Sequence, residues 1–131
     1  MEWINTTHLK DFEDNLDEYL GFIYEITLKD GRYYIGRKQF RTSKGYDTRW
    51  RTYNSTSKTI LDRPEQILKK EIIGIFSSKS AMRYAEMACI IWSDSYLSPG
   101  GLNWSVDSCK GTLKLTDDDM KQLVSLKKRW L

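Results

Sequence analysis

Glu86 is the one charged residue in Tyr84-Ala85-Glu86-Met87-Ala88-Cys89-Ile90-Ile91-Trp92, a segment long enough for a helix and apolar nearly all the way round. A helix of that composition is buried, and an ionised carboxylate inside it is costly unless it is paired, hydrogen-bonded or bound to a metal. Glu86 therefore needs a basic partner, for which Arg49, Arg51 and Arg83 are available, or a cation. A second group with chemical potential is the pair Tyr24 and Tyr34. Each alone would serve as a packing residue on a strand, but their spacing brings them together. Arg49 and Tyr53 form a third group: at i and i+4 on a helix they share a face and can converge on one ligand, with Trp50 as the anchor in the core. Arg51 is the alternative arginine.

The elements that must hold these residues can be read from periodicity. Phe22, Tyr24, Ile26 and Leu28 alternate with Ile23, Glu25 and Thr27, which is the pattern of a half-buried strand. Lys29-Asp30-Gly31 then makes a three-residue hairpin loop, with Gly31 at the left-handed position. Pairing Leu28 with Arg32 fixes the register: Tyr24 faces Gly36, Tyr34 faces Ile26, and the two tyrosines lie diagonally on one face. Gly36 keeps the space beside Tyr24 open. Gln66 to Phe76 reads as a third strand, its Ile72, Ile73, Ile75 and Phe76 suiting a central position covered on both sides. Ser55 to Leu61 reads as a loop entering a short helix, Arg63-Pro64 as a break, and Ser77 or Ser78 as the cap of the Glu86 helix.

This arrangement resembles the GIY-YIG nuclease family, in which a strand ending in Gly-Ile-Tyr is followed about ten residues later by one carrying Tyr-Ile-Gly. Tyr34-Ile35-Gly36 matches literally. The first half departs from the pattern, because Phe22 and Ile23 both separate Gly21 from Tyr24; Tyr24 is aligned with the family tyrosine and Gly21 is read as dispensable. Arg49 with Tyr53 is similar to the first helix of the family, given an insertion over residues 37–48. Glu86 matches the glutamate that holds its divalent cation, and Asn103, in Gly100-Gly101-Leu102-Asn103-Trp104, matches the asparagine that braces its site. The resemblance spans residues 21–103.

The resemblance implies an α/β (α+β) domain with a small, mostly antiparallel three-stranded sheet flanked by helices, and metal-dependent hydrolysis of DNA. The catalytic set it implies is Tyr24, Tyr34, Arg49, Tyr53, Glu86 and Asn103. Tyr24 would be the general base or pass a proton toward one, while Tyr34 and Tyr53 orient water and phosphate. Arg49 would stabilise the developing charge, and Glu86 would hold Mg²⁺ or Mn²⁺. Three rival readings are a non-catalytic nucleic-acid-binding module, a junction or flap nuclease dependent on a partner protein, and, more remotely, a structural or interaction protein using the acidic N-terminus and the aromatic-rich core.

Composition is compatible with one small domain. The chain has 131 residues, 40% hydrophobic and 13% aromatic, enough for a single core. Cys89 and Cys109 lack the spaced partners of a zinc site or a disulfide framework, and His8 is the only histidine, which disfavours a serine or cysteine hydrolase. No apolar run has membrane-spanning length and no signal-peptide pattern opens the chain, so a soluble, cytoplasmic protein of phage or mobile-element format is expected. Monomer and homodimer both remain open.

The net charge of +3 conceals an asymmetry: residues 1–20 hold six acids against one base, leaving 20 bases and 12 acids, a net +8, in the rest. Arg37, Lys38, Arg41, Lys44, Arg51 and Lys58 gather around the expected catalytic loop, interleaved with Tyr46, Trp50 and Tyr53, as a DNA-backbone footprint would. A solvated loop is the plainer reading of such a run. The expected organisation is an acidic segment 1–20, a nuclease domain 21–108, and a C-terminal helix over 109–131. That helix opens with Thr116 and three aspartates, closes with Lys127-Lys128-Arg129, and carries a stripe of Met120, Leu123, Leu126 and Trp130 for packing.

Overall fold

The computed structural model of the chain describes residues 1–103 and 113–131; Trp104, Cys109 and the expected boundary between 108 and 109 lie outside them. The hairpin forms in the register that its loop dictates. Gly31 adopts φ 91°, the Leu28 N–H donates to the Arg32 carbonyl at 2.8 Å, and Tyr24 pairs with Gly36 and Ile26 with Tyr34. Its strands, β2 (Gly21–Leu28) and β3 (Tyr33–Gln39), are joined by β4 (Ile67–Phe76), which runs antiparallel to β2.

The sheet has four strands rather than the expected three. β1 (Trp3–Asn5) lies parallel to β4, giving the order β1-β4-β2-β3. Three residues are too few to display an alternating pattern, so nothing local marks them as a strand. The acidic N-terminal segment is consequently woven into the domain. Phe12 is buried beside Phe40 and Trp50, and the Arg41 guanidinium donates to the Leu16 and Tyr19 carbonyls at 2.9 and 3.0 Å. The acids Glu13, Asp14, Asp17 and Glu18 face solvent.

Both faces of the sheet are covered. One packs Phe22, Tyr24, Ile26 and Ile72 against Phe12, Phe40, Trp50 and Ile60, the last from the short helix α1 (Lys58–Asp62). The other packs Ile23, Ile35, Ile73 and Phe76 against α2 (Lys79–Trp92) and α3 (Asp117–Trp130). Helix α2 starts at Ser78, whose hydroxyl accepts the Ala81 N–H at 3.2 Å. It is amphipathic rather than buried all round: Ala81, Met82, Ala85 and Cys89 face the sheet, while Ile91 is 57% exposed.

Double coverage revises the reading of β2 as half-buried, because Glu25 lies under α3. It pairs directly with Glu71 of β4, and Arg129 near the end of α3 bridges the two carboxylates at 2.7 and 3.1 Å. Leu123 and Leu126 are buried alongside, whereas Met120 is exposed. A capping box between Thr116 and Asp119 fixes the start of α3. Replacing Arg129 with methionine keeps most of the packing volume but leaves two adjacent carboxylates under a helix. Because the guanidinium is partly exposed, the expected loss is about 2 kcal/mol, below the ~3–5 of a fully buried pair. Urea denaturation of Arg129→Met measures it, and a loss under about 0.5 kcal/mol would remove this ion cluster from the docking of α3.

Candidate active site

The candidate site is built across the edge strand of the sheet. Tyr24 projects from β2 on one face, and its phenol lies directly over Gly36; a Cβ at that glycine would overlap the hydroxyl and ring of Tyr24. Tyr34 comes from β3 beside it, with ring centroids 6.1 Å apart. Tyr53 meets Tyr24 edge-on at 6.0 Å. The three phenols and Thr56 line one cavity, where Tyr34 Oη lies 3.4 Å from Thr56 Oγ1. Burial, then the neighbouring Tyr53 and Tyr34, pushes the Tyr24 phenol well above its ordinary value. Burial also raises Tyr53.

From the other face of the sheet come Arg37 and Glu86. Alternation along β3 turns Arg37 toward α2, where its guanidinium donates to the Glu86 carboxylate at 2.5 Å. With Ser57, Lys58, Ile90, Leu102 and Asn103 these residues line a cavity of about 560 Å³ that opens at the strand's edge. The edge itself is closed by the chain after α2. Leu102 N–H donates to the Tyr33 carbonyl, and the Asn103 side chain accepts from Ile35 N–H at 3.0 Å while donating to the Ile35 carbonyl at 2.7 Å. Ser95 hydroxyl donates to the same Asn103 oxygen. Asn103 thereby serves Ile35 as a further strand would, covering that part of the edge.

Tyr24, Tyr34, Tyr53, Glu86, Asn103, Arg37 and Lys58 are thus brought together, and other residues singled out in the sequence are placed elsewhere. Residues 49–53 do not form the expected helix. Asp47 accepts the Arg49 N–H at 2.7 Å, Arg49 takes a left-handed φ of 59°, and Trp50–Thr52 makes one 3-10 turn. Trp50 is buried as the anchor, but Arg49 faces solvent and does not line the cavity. Glu86 is paired with Arg37 rather than with Arg49, Arg51 or Arg83. Lys38 lies 4.1 Å from the Tyr53 ring centroid and Arg51 4.4 Å from that of Trp50, while Lys44 is exposed. Arg41 is turned inward to the N-terminal segment. Gly21 is not dispensable, since a Cβ there would overlap the Lys38 carbonyl and approach Met82 to 2.8 Å.

Two contributors escaped the sequence reading. Thr56 lines the cavity with the phenols, in a serine- and threonine-rich stretch that looked like an ordinary loop. Arg37 was placed in the basic footprint, although the hairpin register, which sets it opposite Ile23, already turned it toward the helix side of the sheet. Burial pushes the Cys89 thiol up, as suits an inert core residue. Among the described residues no cluster of three or more His, Cys, Asp or Glu could hold a metal, and no helix is long and apolar enough to cross a membrane.

The family described as "Putative endonuclease segE, GIY-YIG domain" matches residues 3–98, well over half of the chain, and the chain belongs to the GIY-YIG family. Among curated proteins it is similar to Intron-associated endonuclease 2 of Enterobacteria phage T4, 39% identical over 70 residues; the match covers 52% of this chain and 27% of that protein's length. No solved structure matches it.

The raised phenol yields a test of the site's electrostatics. Tyr24 stays protonated as pH rises through 10, its ordinary value. The phenolate absorbance gained between about pH 8 and 10.5, where ordinary tyrosines ionise, is therefore expected to be the same in Tyr24→Phe as in the parent. A loss of one tyrosine's worth of absorbance in that range would show that Tyr24 ionises normally.

Proposed function

We propose that this chain is a metal-dependent DNA endonuclease that hydrolyses phosphodiester bonds in the cavity at the edge of β3. The observation that carries the reading is the convergence there of three tyrosines in ring contact with an arginine-carboxylate pair, in a chain of a family with nuclease members. Phosphodiester hydrolysis needs a positioned water, neutralisation of the charge on the scissile phosphate and a stabilised leaving oxygen, and the cavity offers donors suited to each.

Tyr24 is assigned the orienting of the attacking water. Because its phenol favours the neutral form, Tyr24 takes a proton from the water only as its own leaves for bulk solvent, past the Tyr53 phenol and the exposed Thr56 hydroxyl at the cavity. Tyr34 donates to a phosphate oxygen from the same face. Arg37 takes the role that spacing suggested for Arg49, since it is the arginine at the cavity, and Lys58 adds a second positive group at its rim. Asn103 acts on the site through the strand it braces.

The donor set fits a divalent cation, which GIY-YIG nucleases generally use. One carboxylate, Glu86, faces a cavity lined by the hydroxyls of Tyr24, Tyr34, Tyr53, Thr56 and Ser57 beside the cations Arg37 and Lys58, a sparse oxygen set of the kind that holds Mg²⁺ or Mn²⁺ with several waters retained. Bound there, the ion supplies Lewis-acid neutralisation at the leaving oxygen. Arg37 holds the Glu86 carboxylate toward the cavity in the meantime. Lys38, Lys44, Arg51 and Lys58 are assigned to the DNA backbone, and Arg41 is withdrawn from that surface because its guanidinium is spent on two carbonyls.

The test is incubation of the full chain with supercoiled plasmid and Mg²⁺ or Mn²⁺, beside an EDTA control. Relaxed or linear product that disappears with EDTA and in Glu86→Ala is expected; retarded plasmid without product would favour a binding module. Arg37→Ala is expected to lower kcat by about 10²–10³-fold, the size typical of a lost transition-state donor, while Arg49→Ala stays within about threefold. The reverse order would return the charge-stabilising role to Arg49.

A further inference from the structure

Lys70 is an unusual residue for its place. It lies in β4 on the tyrosine face, in one cross-sheet row with Tyr34, Ile26 and Trp3, and it is 1% exposed. An apolar side chain would ordinarily fill such a position. Its ammonium instead donates to the Tyr53 carbonyl at 2.7 Å and to Asn54 Oδ1 at 3.1 Å, and lies 4.3 Å from the Trp3 ring centroid. Burial lowers its pKa to about 8. A charge retained in the core despite that cost must be held by what it bonds.

What it bonds is the coil 53–57, which carries Tyr53, Thr56 and Ser57 to the cavity and leads into Lys58. The coil contains Ser55, buried at φ 76°, a conformation that persists only where its surroundings over-determine it. The preceding turn is fastened by the same neighbour that covers Lys70: the Trp3 indole N–H donates to the Trp50 carbonyl at 2.8 Å. Tyr53 is consequently held at both ends, its carbonyl by Lys70 and its ring by edge-on contact with Tyr24.

We propose that Lys70 is a positioning residue of this site: by clasping the Tyr53 carbonyl and Asn54 from the sheet, it sets the Tyr53 and Thr56 hydroxyls between Tyr24 and Tyr34. Lys70 does not line the cavity, so it acts through the coil alone. The inference rests on the nuclease reading for its effect on rate, but the clasp can be tested without any cleavage.

The experiment is amide hydrogen exchange and plasmid cleavage with Mg²⁺ on the full chain and Lys70→Met, which fills the space without donating. Amides of 53–58 are expected to exchange at least about 10-fold faster while those of β2 are unchanged. The value of kcat is expected to fall about 10–100-fold, as misplacement of a catalytic group costs, with KM within about twofold. A pH profile separates this from general loosening. The groups facing the ammonium are Trp3 from β1, Ile26 from β2, and Tyr53 and Asn54 from the coil, so its own proton governs the limb. In the parent, kcat is expected to fall as pH rises through about 8, the lowered value of the Lys70 ammonium, and Lys70→Met is expected to lack that fall. If Lys70→Met does not fold, Asn54→Ala removes one acceptor and no charge, and the same pattern is expected at smaller amplitude.

Unchanged exchange over 53–58 overturns the proposal whether or not the protein cleaves DNA. Faster exchange with unaltered kcat and pH profile overturns it too, reducing the clasp to scaffold. Absence of cleavage by the parent would defeat the nuclease reading, and exchange would still decide whether Lys70 places the coil.

Discussion

The approach of the Tyr24 phenol to the bare backbone of Gly36 is the contact on which the rest of the site depends. A side chain at Gly36 would occupy the position of that phenol, so Tyr24 could neither reach Tyr53 nor share a wall with Tyr34. The contact also places the site at the edge of the sheet, because β3 is the outermost strand. Groups from both faces can then meet around it: hydroxyls from the tyrosine face, and Arg37 with Glu86 from the helix face. Residues 100–103, with Asn103 at their end, satisfy the outward backbone groups of Tyr33 and Ile35 on this edge strand.

Charges that are partly or fully buried fasten the elements that the apolar cores leave free to shift. Arg129 ties α3 to the Glu25 and Glu71 pair, Arg37 ties β3 to α2 through Glu86, and Lys70 ties the coil after Trp50 to β4. Each such charge has partners, as it must to offset desolvation. The apolar cores supply most of the burial and the ionic links specify how the pieces sit. Two of the three links lead to residues of the cavity, which makes stability and site geometry hard to separate by substituting core residues.

The hairpin was legible in the sequence because two independent signals agreed on it, the alternation from Phe22 to Leu28 and the glycine of a three-residue loop. The caps at Ser78 and Thr116 were legible for the same reason, a local hydrogen-bonding residue placed just before an apolar period. β1 was not, since three residues carry no period and its partner in β4 is distant in the chain. Arg49 and Tyr53 have helical spacing, but the left-handed backbone at Arg49 is a conformation that non-glycine residues rarely signal. Arg37 could have been placed on the helix face from the register alone; what hid it was the basic run around it, which suggested DNA contact for every cation. Nothing local in the sequence sets Lys70 apart within its strand, and only the coil folded over it gives its charge a purpose.

The central claim, that the cavity at the β3 edge binds a divalent cation and the scissile phosphate together, is tested most directly by diffraction at the manganese edge from crystals of the chain with duplex DNA and Mn²⁺. The account predicts an anomalous peak at the Glu86 carboxylate, with one DNA phosphate between it and the tyrosine hydroxyls and the Arg37 guanidinium turned to that phosphate. A peak at any other site, or DNA lying across Arg49 with the cavity empty, would contradict it.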